Sequence, residues 1–262
     1  VTAYETLLIE EPAPGVRRVT LDRPPVNAVN RVMIRELTEA FGAVADDRDV
    51  RAVVLAAAGS RAFCGGIDLK EPPPDPAERT PSELLNPGLA WRTAQHAVRH
   101  CPVPVICAIE GAAIGAGFGL IAMCDVLIAS TRAAFGLTEI NVGLLGGASK
   151  ALHMVGPYKA RSMMFTGELL DAAEMHRLGV VEKVVEPGLA GDEAVRTAAS
   201  LAGKSPIAMR LLKESILRIE GDAIEQNYRT EWDYTNRLGQ FADSREARAA
   251  YLEKRAPSWT WT

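Results

Sequence analysis

Apolar residues recur along the chain in short blocks separated by glycine and proline. Leu7-Leu8-Ile9 and Val16–Leu21 flank Pro12-Ala13-Pro14-Gly15, so the pattern predicts two extended runs joined by a turn, a β-hairpin. Ile34, Leu37, Phe41 and Val44 then repeat at helical spacing, which predicts a helix over Arg31–Asp46. Arg51–Ala57, Val103–Ile109 and Val126–Ala129 are short apolar runs rich in β-branched residues, the pattern of strands buried on both faces. Helical segments lie between them, so strand alternates with helix and the fold class is α/β.

Glu71–Pro87 breaks the alternation with prolines at positions 72, 73, 74, 76, 81 and 87, which predicts a long surface loop. Because it directly follows the glycine-rich stretch Cys64–Lys70, it is a candidate lid. From Ser205 the character changes. Ser205-Pro206 offers an N-cap and a first-turn proline for a helix over Ile207–Ile219, and Asp222–Gly239 continues helical. Asp243 and Glu246 have the spacing of a capping box for a last helix, Ser244–Arg255. The chain therefore divides into a core, residues 1–204, and a helical appendage, residues 205–262.

The composition fits a folded body: 262 residues, 48% hydrophobic and 24% charged. Lys and Arg total 29 against 33 Asp and Glu, a net charge of −4, which argues against a nucleic-acid or anionic-membrane surface. No apolar stretch is long enough to span a bilayer, and glycines interrupt the longest, around Ile114–Ala122. Val1–Glu5 lacks the basic start of a secretory signal, so a cytoplasmic location is expected. Cys64, Cys101, Cys107 and Cys124 include no C-x-x-C pair and read as reduced thiols, Cys64 as a packing residue. His96 and His100 lie four apart without the glutamate of an H-E-x-x-H site, so no metal is expected.

Two glycine-rich segments stand out, each directly after a predicted buried strand: Ser60–Lys70 and Gly111–Leu120. Glycine lets backbone N–H groups approach a ligand without an intervening side chain, so two such loops facing each other would form an oxyanion hole. The competing explanation is tight turns and close helix–strand packing. A dinucleotide loop fits poorly, because Leu120 stands where the last glycine of G-x-G-x-x-G belongs.

Phe63-Cys64-Gly65-Gly66-Ile67-Asp68-Leu69-Lys70-Glu71 resembles the first oxyanion motif of the enoyl-CoA hydratase/isomerase (crotonase) superfamily, and Gly111–Asp125 resembles its second. Leu21–Asn30 is similar to the superfamily's opening segment, and Glu253–Trp259 to its closing one. The resemblance implies a crotonase-type spiral of ββα units followed by a C-terminal helical trimerisation region, assembled as a homotrimer or dimer of trimers. It implies an acyl-CoA substrate, with coenzyme A entering as part of that substrate and no separate cofactor. The N–H groups of Ile67 and Ala116 would hold the thioester oxygen. Gly65 and Gly66, with Asp68 following, would shape the first loop, and Gly115 and Gly117 the second. Lys70 and the backbone of Val26 and Ala28 would touch the nucleotide end of coenzyme A.

The sequence departs from the hydratase pattern at one of two catalytic glutamates. The first of those positions is Gly119; the second is Glu139. One carboxylate suffices to move a proton between the α and γ carbons of an enoyl thioester, and segments Phe135–Asn141 and Glu225–Asn227 are similar to those of hydroxycinnamoyl-CoA hydratase-lyases. Tyr228, Trp232 and Tyr234 lie near the position of that subgroup's phenol-holding tyrosine without matching its register. Lyase or isomerase chemistry through an enolate is expected, with Glu139 as sole acid/base. The rival expectations are a catalytically inactive acyl-CoA-binding homologue and a nicotinamide dehydrogenase.

Overall fold

Leu7–Ala13 (β1) and Val16–Leu21 (β2) pair antiparallel from Leu7 with Leu21 to Ala13 with Val16, and Gly15 turns the tip at φ 74°. The computed structural model describes residues 4–72, 75, 79–86, 88–221 and 223–262. Three chain turns follow the hairpin, and each contains one longer strand, one short strand and helical chain. The longer strands are Ala52–Ala57 (β3), Val105–Ile109 (β5) and Val126–Ser130 (β7). Their short successors are Ala62–Cys64 (β4), Ala112–Ile114 (β6) and Ala134–Gly136 (β8). Leu170–Asp171 (β9) and Lys183–Val185 (β10) complete a six-stranded sheet ordered β1-β2-β3-β5-β7-β10 and a four-stranded sheet ordered β4-β6-β8-β9.

The longer strands are apolar at consecutive positions because both faces of their sheet are covered. Val53, Leu55, Val105, Cys107 and Ile109 face one core with Phe41, Phe63 and Phe118. Ala52, Val54, Ile106, Ala108 and Ile128 face the other, where Ala190, Ala194, Ala198 and Ala202 let a helix lie close on the sheet. That helix is Ala190–Ala202 (α7). A long run of methyl-sized contacts there stands in for larger side chains.

The helix predicted after the hairpin, Arg31–Gly42 (α1), is capped by Asn30, whose side chain accepts from the Met33 N–H at 2.9 Å. It stops four residues short of the expected end, its last carbonyls closed by the tighter turns Val44 to Phe41 and Ala45 to Gly42. The proline-rich segment is not loop throughout: Pro81–Leu85 (α2) is helical. Thr80 and Glu83 form a capping box there, and Pro81 stands in the first turn, where its missing N–H costs nothing. Positions 73, 74, 76–78 and 87, on which the lid expectation also falls, lie outside the described residues.

Leu89–Arg99 (α3), Ala116–Ile121 (α4) and Ala148–Thr166 (α5) follow; α5 is interrupted at Gly156, φ 74°, before Pro157. After Ala172–Arg177 (α6), the appendage consists of Pro206–Glu220 (α8), Ala223–Gly239 (α9) and Ala242–Glu253 (α10). Ser205 caps α8 as expected, accepting from the Ala208 N–H at 3.4 Å. The capping box at Asp243 and Glu246 does not form. The helix begins at Ala242, and both carboxylates instead strap down the C-terminal tail. Asp243 accepts from the N–H groups of Thr260 (2.8 Å) and Trp261 (3.1 Å), and Glu246 takes Arg255 and the Ser258 N–H.

The appendage folds back over the spiral. α9 packs on α5, and α10 packs on the 3₁₀ turn Glu139–Val142 that follows β8. His96 and His100 on α3 flank the Glu225 carboxylate of α9 at 3.5 and 2.5 Å, with Arg99 reaching Glu220 at 3.0 Å. The two histidines thus join α3 to α9. No helix among the described residues is long and apolar enough to cross a membrane.

Candidate active site

β4, β6 and β8 run parallel, Cys64 beside Ala113 after a one-residue shift in β4 and Ile114 beside Gly136, so their exits lie along one sheet edge. That edge is where parallel sheets present ligand-binding loops. From β4 comes Gly65-Gly66-Ile67, from β6 Gly115-Ala116, and from β8 Leu137-Thr138-Glu139. Three segments distant in sequence therefore meet because each occupies the same place in successive turns of the spiral. A Cβ placed on Gly115 would stand 3.2 Å from Glu139 Oε1 and 3.7 Å from the Gly66 Cα. Gly115 also holds φ at 56°, a backbone that side chains disfavour.

The amide of Ile67 is turned by its pairing with Val29. In a parallel bridge, the Val29 N–H donates to the Gly66 carbonyl (2.8 Å) and the Asp68 N–H donates to the Val29 carbonyl (2.9 Å), which leaves the N–H of Ile67 directed away from Val29. Ala116 is the first residue of α4, so its N–H has no acceptor within the helix. Both residues line one cavity of about 820 Å³, together with Gly65, Gly66, Gly115, Gly119 and Glu139.

Glu139 opens the 3₁₀ turn, and its Oε2 has no hydrogen-bond partner among the described residues. Burial raises its pKa to about 7, and the nearby Glu231 carboxylate pushes the same way. Glu231 reaches the cavity from α9. It accepts from the N–H groups of Gly147 (3.1 Å) and Ser149 (2.5 Å) at the start of α5 and from Lys150 Nζ (3.3 Å). With its oxygens so engaged, Glu231 acts on Glu139 by its field rather than as a proton carrier.

Gly119 lies inside α4, and a Cβ there would approach Gln95 Nε2 at 2.8 Å. The side-chain amide of Gln95 therefore occupies the space in front of position 119. An amide does not exchange protons near neutral pH.

Four of the expected site residues stand outside the cavity wall. Gly117 serves close packing, since a Cβ there would lie 2.4 Å from the Cys64 carbonyl oxygen. Val26 and Ala28 support the first loop from behind. The Val26 carbonyl accepts from Gly65 N–H (2.9 Å), and the Ala28 carbonyl accepts from Arg23 Nη1 (3.0 Å). Lys70 is exposed, its N–H donating to Asp68 Oδ1 at 3.0 Å. Asp68 lines the cavity, but its carboxylate is paired with Arg23 at 2.7 Å. Cys64 is buried, and desolvation pushes its thiol up to about 11, which makes it a poor nucleophile.

The far wall adds Gln95 on α3, Lys150 on α5 and Glu231 on α9, which the sequence reading did not single out, and Tyr228 and Trp232 on α9, which it named without fixing their register. Nothing local distinguishes the first three from ordinary helix residues. Tertiary packing of three separate helices brings all five to the cavity.

Two interleaved parallel ladders wound in ββα turns, with glycine loops converging beside a buried glutamate, define the crotonase fold. The model of the enoyl-CoA hydratase/isomerase family matches residues 11–261, and the chain belongs to that family of enzymes. It is 36% identical to a probable enoyl-CoA hydratase of Rhizobium meliloti over 97% of both chains. It is 35% identical to the (7aS)-7a-methyl-1,5-dioxo-2,3,5,6,7,7a-hexahydro-1H-indene-carboxyl-CoA hydrolase of Mycobacterium tuberculosis, covering 93% of this chain and 97% of the relative. Among solved structures, an enoyl-CoA hydratase/isomerase from Pseudoalteromonas atlantica superposes with a TM-score of 0.86 at 28% identity, covering 98% of this chain and all of that one.

Proposed function

We propose that the chain acts on an acyl-CoA thioester through an enolate, with the N–H groups of Ile67 and Ala116 on the thioester oxygen and Glu139 as the one acid/base. Removing a proton from the α carbon sends charge to the carbonyl oxygen. Two preoriented amides lower the energy of that oxygen only as charge develops, which lowers the barrier rather than merely tightening binding. Glu139 takes the proton and returns it to another carbon, or to a leaving hydroxyl, giving isomerisation or reversible loss of water.

The observation that carries this reading is the position of the Glu139 carboxyl beside Gly115 and Gly66, with its pKa raised to about 7 by burial. A carboxyl so tuned exchanges protons readily at neutral pH, whereas an ordinary one is too weak a base. With Glu139 as the base, kcat/KM for a 3-enoyl-CoA ester rises with pH to a midpoint near 7 and is level above it. A midpoint near the ordinary carboxylate value of 4.5 would remove Glu139 from this role.

The direct test is a screen of purified protein against 2-enoyl-, 3-enoyl- and aryl-hydroxyacyl-CoA esters, with products identified by mass and ultraviolet absorbance. The amide of Gln95 in front of Gly119 favours a second reading, a homologue that binds acyl-CoA without turning it over. Micromolar binding with no turnover across the screen would select it.

A cytoplasmic homotrimer or dimer of trimers fits the four free thiols and the surface of α8. That helix exposes Ile207, Leu211, Leu212, Ile216 and Ile219, more apolar surface than one solvated helix ordinarily presents. Replacing Leu211 and Ile219 together by glutamate should convert the assembly to monomers in light scattering. An unchanged mass would show that α8 is not the contact.

A further inference from the structure

The far wall of the cavity carries more hydrogen-bond donors than the protein uses. Gln95 is 3% exposed and Tyr228 7%, and neither side chain hydrogen-bonds to another described residue. Trp232 Nε1 is buried and unpartnered as well. All three residues line the same cavity as Glu139. Tyr228 and Trp232 stack with ring centroids 6.5 Å apart, and Lys150 Nζ lies 4.2 Å from the centre of the Tyr228 ring. Burial holds the Tyr228 hydroxyl in its protonated, donating form.

A buried polar group without a partner costs about 1–3 kcal/mol, and indole N–H and phenol O–H groups almost always find an acceptor when enclosed. Trp232 Nε1 is such a group, and with the Gln95 amide and the Tyr228 hydroxyl on the same cavity it is matched to acceptors on a ligand. Arg79 Nε, likewise buried and unpartnered, lines that cavity too, while the Lys150 ammonium is engaged by Glu231 at 3.3 Å.

We propose that the cavity binds an oxygenated acyl group, with ketone or hydroxyl oxygens beyond the reacting carbons accepting from Gln95, Tyr228 and Trp232. The substrate is then an oxo- or hydroxyacyl thioester rather than a plain alkyl one. This rests on the acyl-CoA reading above and refines it. An alkyl chain would fill the volume and leave every donor unpaired, which is the circumstance under which a polar site rejects an analogue strongly.

The test uses saturated, unreactive esters, so that binding is measured apart from turnover: heptanoyl-CoA, its oxo derivatives with the ketone at successive carbons, and pimeloyl-CoA, titrated calorimetrically. At least one oxo ester should bind about tenfold or more tighter than heptanoyl-CoA, the equivalent of one or more hydrogen bonds. Tyr228→Phe and Gln95→Leu, made separately, should each erase part of that advantage without weakening the binding of heptanoyl-CoA, which no longer leaves that donor unpaired. Equal binding of oxo and alkyl esters, or equal weakening of all esters in both variants, would overturn the polar subsite and leave the enolate reading intact. Pimeloyl-CoA as the tightest ligand would overturn the assignment to ketone or hydroxyl oxygen in favour of a carboxylate held by Arg79. Binding of no ester at all would sink the acyl-CoA reading and this one with it.

Discussion

Glu139→Gln is expected to lower kcat by about a thousandfold, the scale of losing a positioned acid/base, with affinity for a saturated CoA ester changed little. Glutamine keeps the size and polarity of the side chain but exchanges no proton, so the loss should fall on kcat and not on binding. The same substitution has a second, opposite signature. The native carboxyl has a pKa of about 7 against an ordinary 4.5, so the folded state binds this proton more tightly than the unfolded state does. The wild-type protein therefore loses stability as pH rises from about 4.5 to 7, because the unfolded carboxyl ionises there and the buried one does not, and the loss levels off above 7. Glu139→Gln escapes that cost and should be more stable above pH 7 by up to roughly 3 kcal/mol, an advantage that shrinks to nothing below about pH 4.5. Denaturant titrations at pH 8 and pH 4.5 check it. Turnover at the wild-type rate would exclude Glu139 from the chemistry.

Ala116→Pro is expected to lower kcat by about a hundred- to a thousandfold or more, because it deletes one of the two amide donors proposed for the oxyanion. The position allows the experiment. Ala116 is the first residue of α4, where proline is well tolerated, and Gly115 before it, at φ 56° and ψ −113°, lies outside the α region that a following proline forbids. The proline ring also places a methylene where the oxygen would sit, which drives the loss toward the upper end. Ala116→Ser, which keeps the N–H, should retain activity. Unchanged circular dichroism and assembly state in the proline variant with unchanged kcat would show that the Ala116 N–H carries no developing charge.

The parts of the fold visible in the sequence were those written in local pattern. The hairpin, the buried strands β3, β5 and β7, and the cap at Ser205 follow from apolar period and turn residues that act over a few positions. The glycines of the two loops stood out for the same reason, whereas Ile67, Ala116 and Glu139 were singled out only by motif resemblance, since a lone glutamate near a strand end reads locally as an ion-pair partner. The misses share a different cause. Gly117 illustrates one limit: a glycine in close contact with the Cys64 carbonyl is indistinguishable in sequence from one that only shapes a ligand loop. Asp243 and Glu246 had capping-box spacing, yet the N–H groups of the distant tail and Arg255 compete for the same oxygens. Gln95, Lys150 and Glu231 reach the cavity only through the packing of α3, α5 and α9 on the spiral, which no local signal encodes, and the same packing fixes the register of Tyr228 and Trp232 that the sequence left open.

The cavity joins two kinds of wall. Its reactive edge is made of strand exits locked by the ladders of β4, β6 and β8, while its opposite side is made of helix surfaces from α3 and α9. Substitutions on those helices can reshape what fits without moving any reacting group by a bond length. Lineages built on this plan are free to change diet while keeping the same teeth.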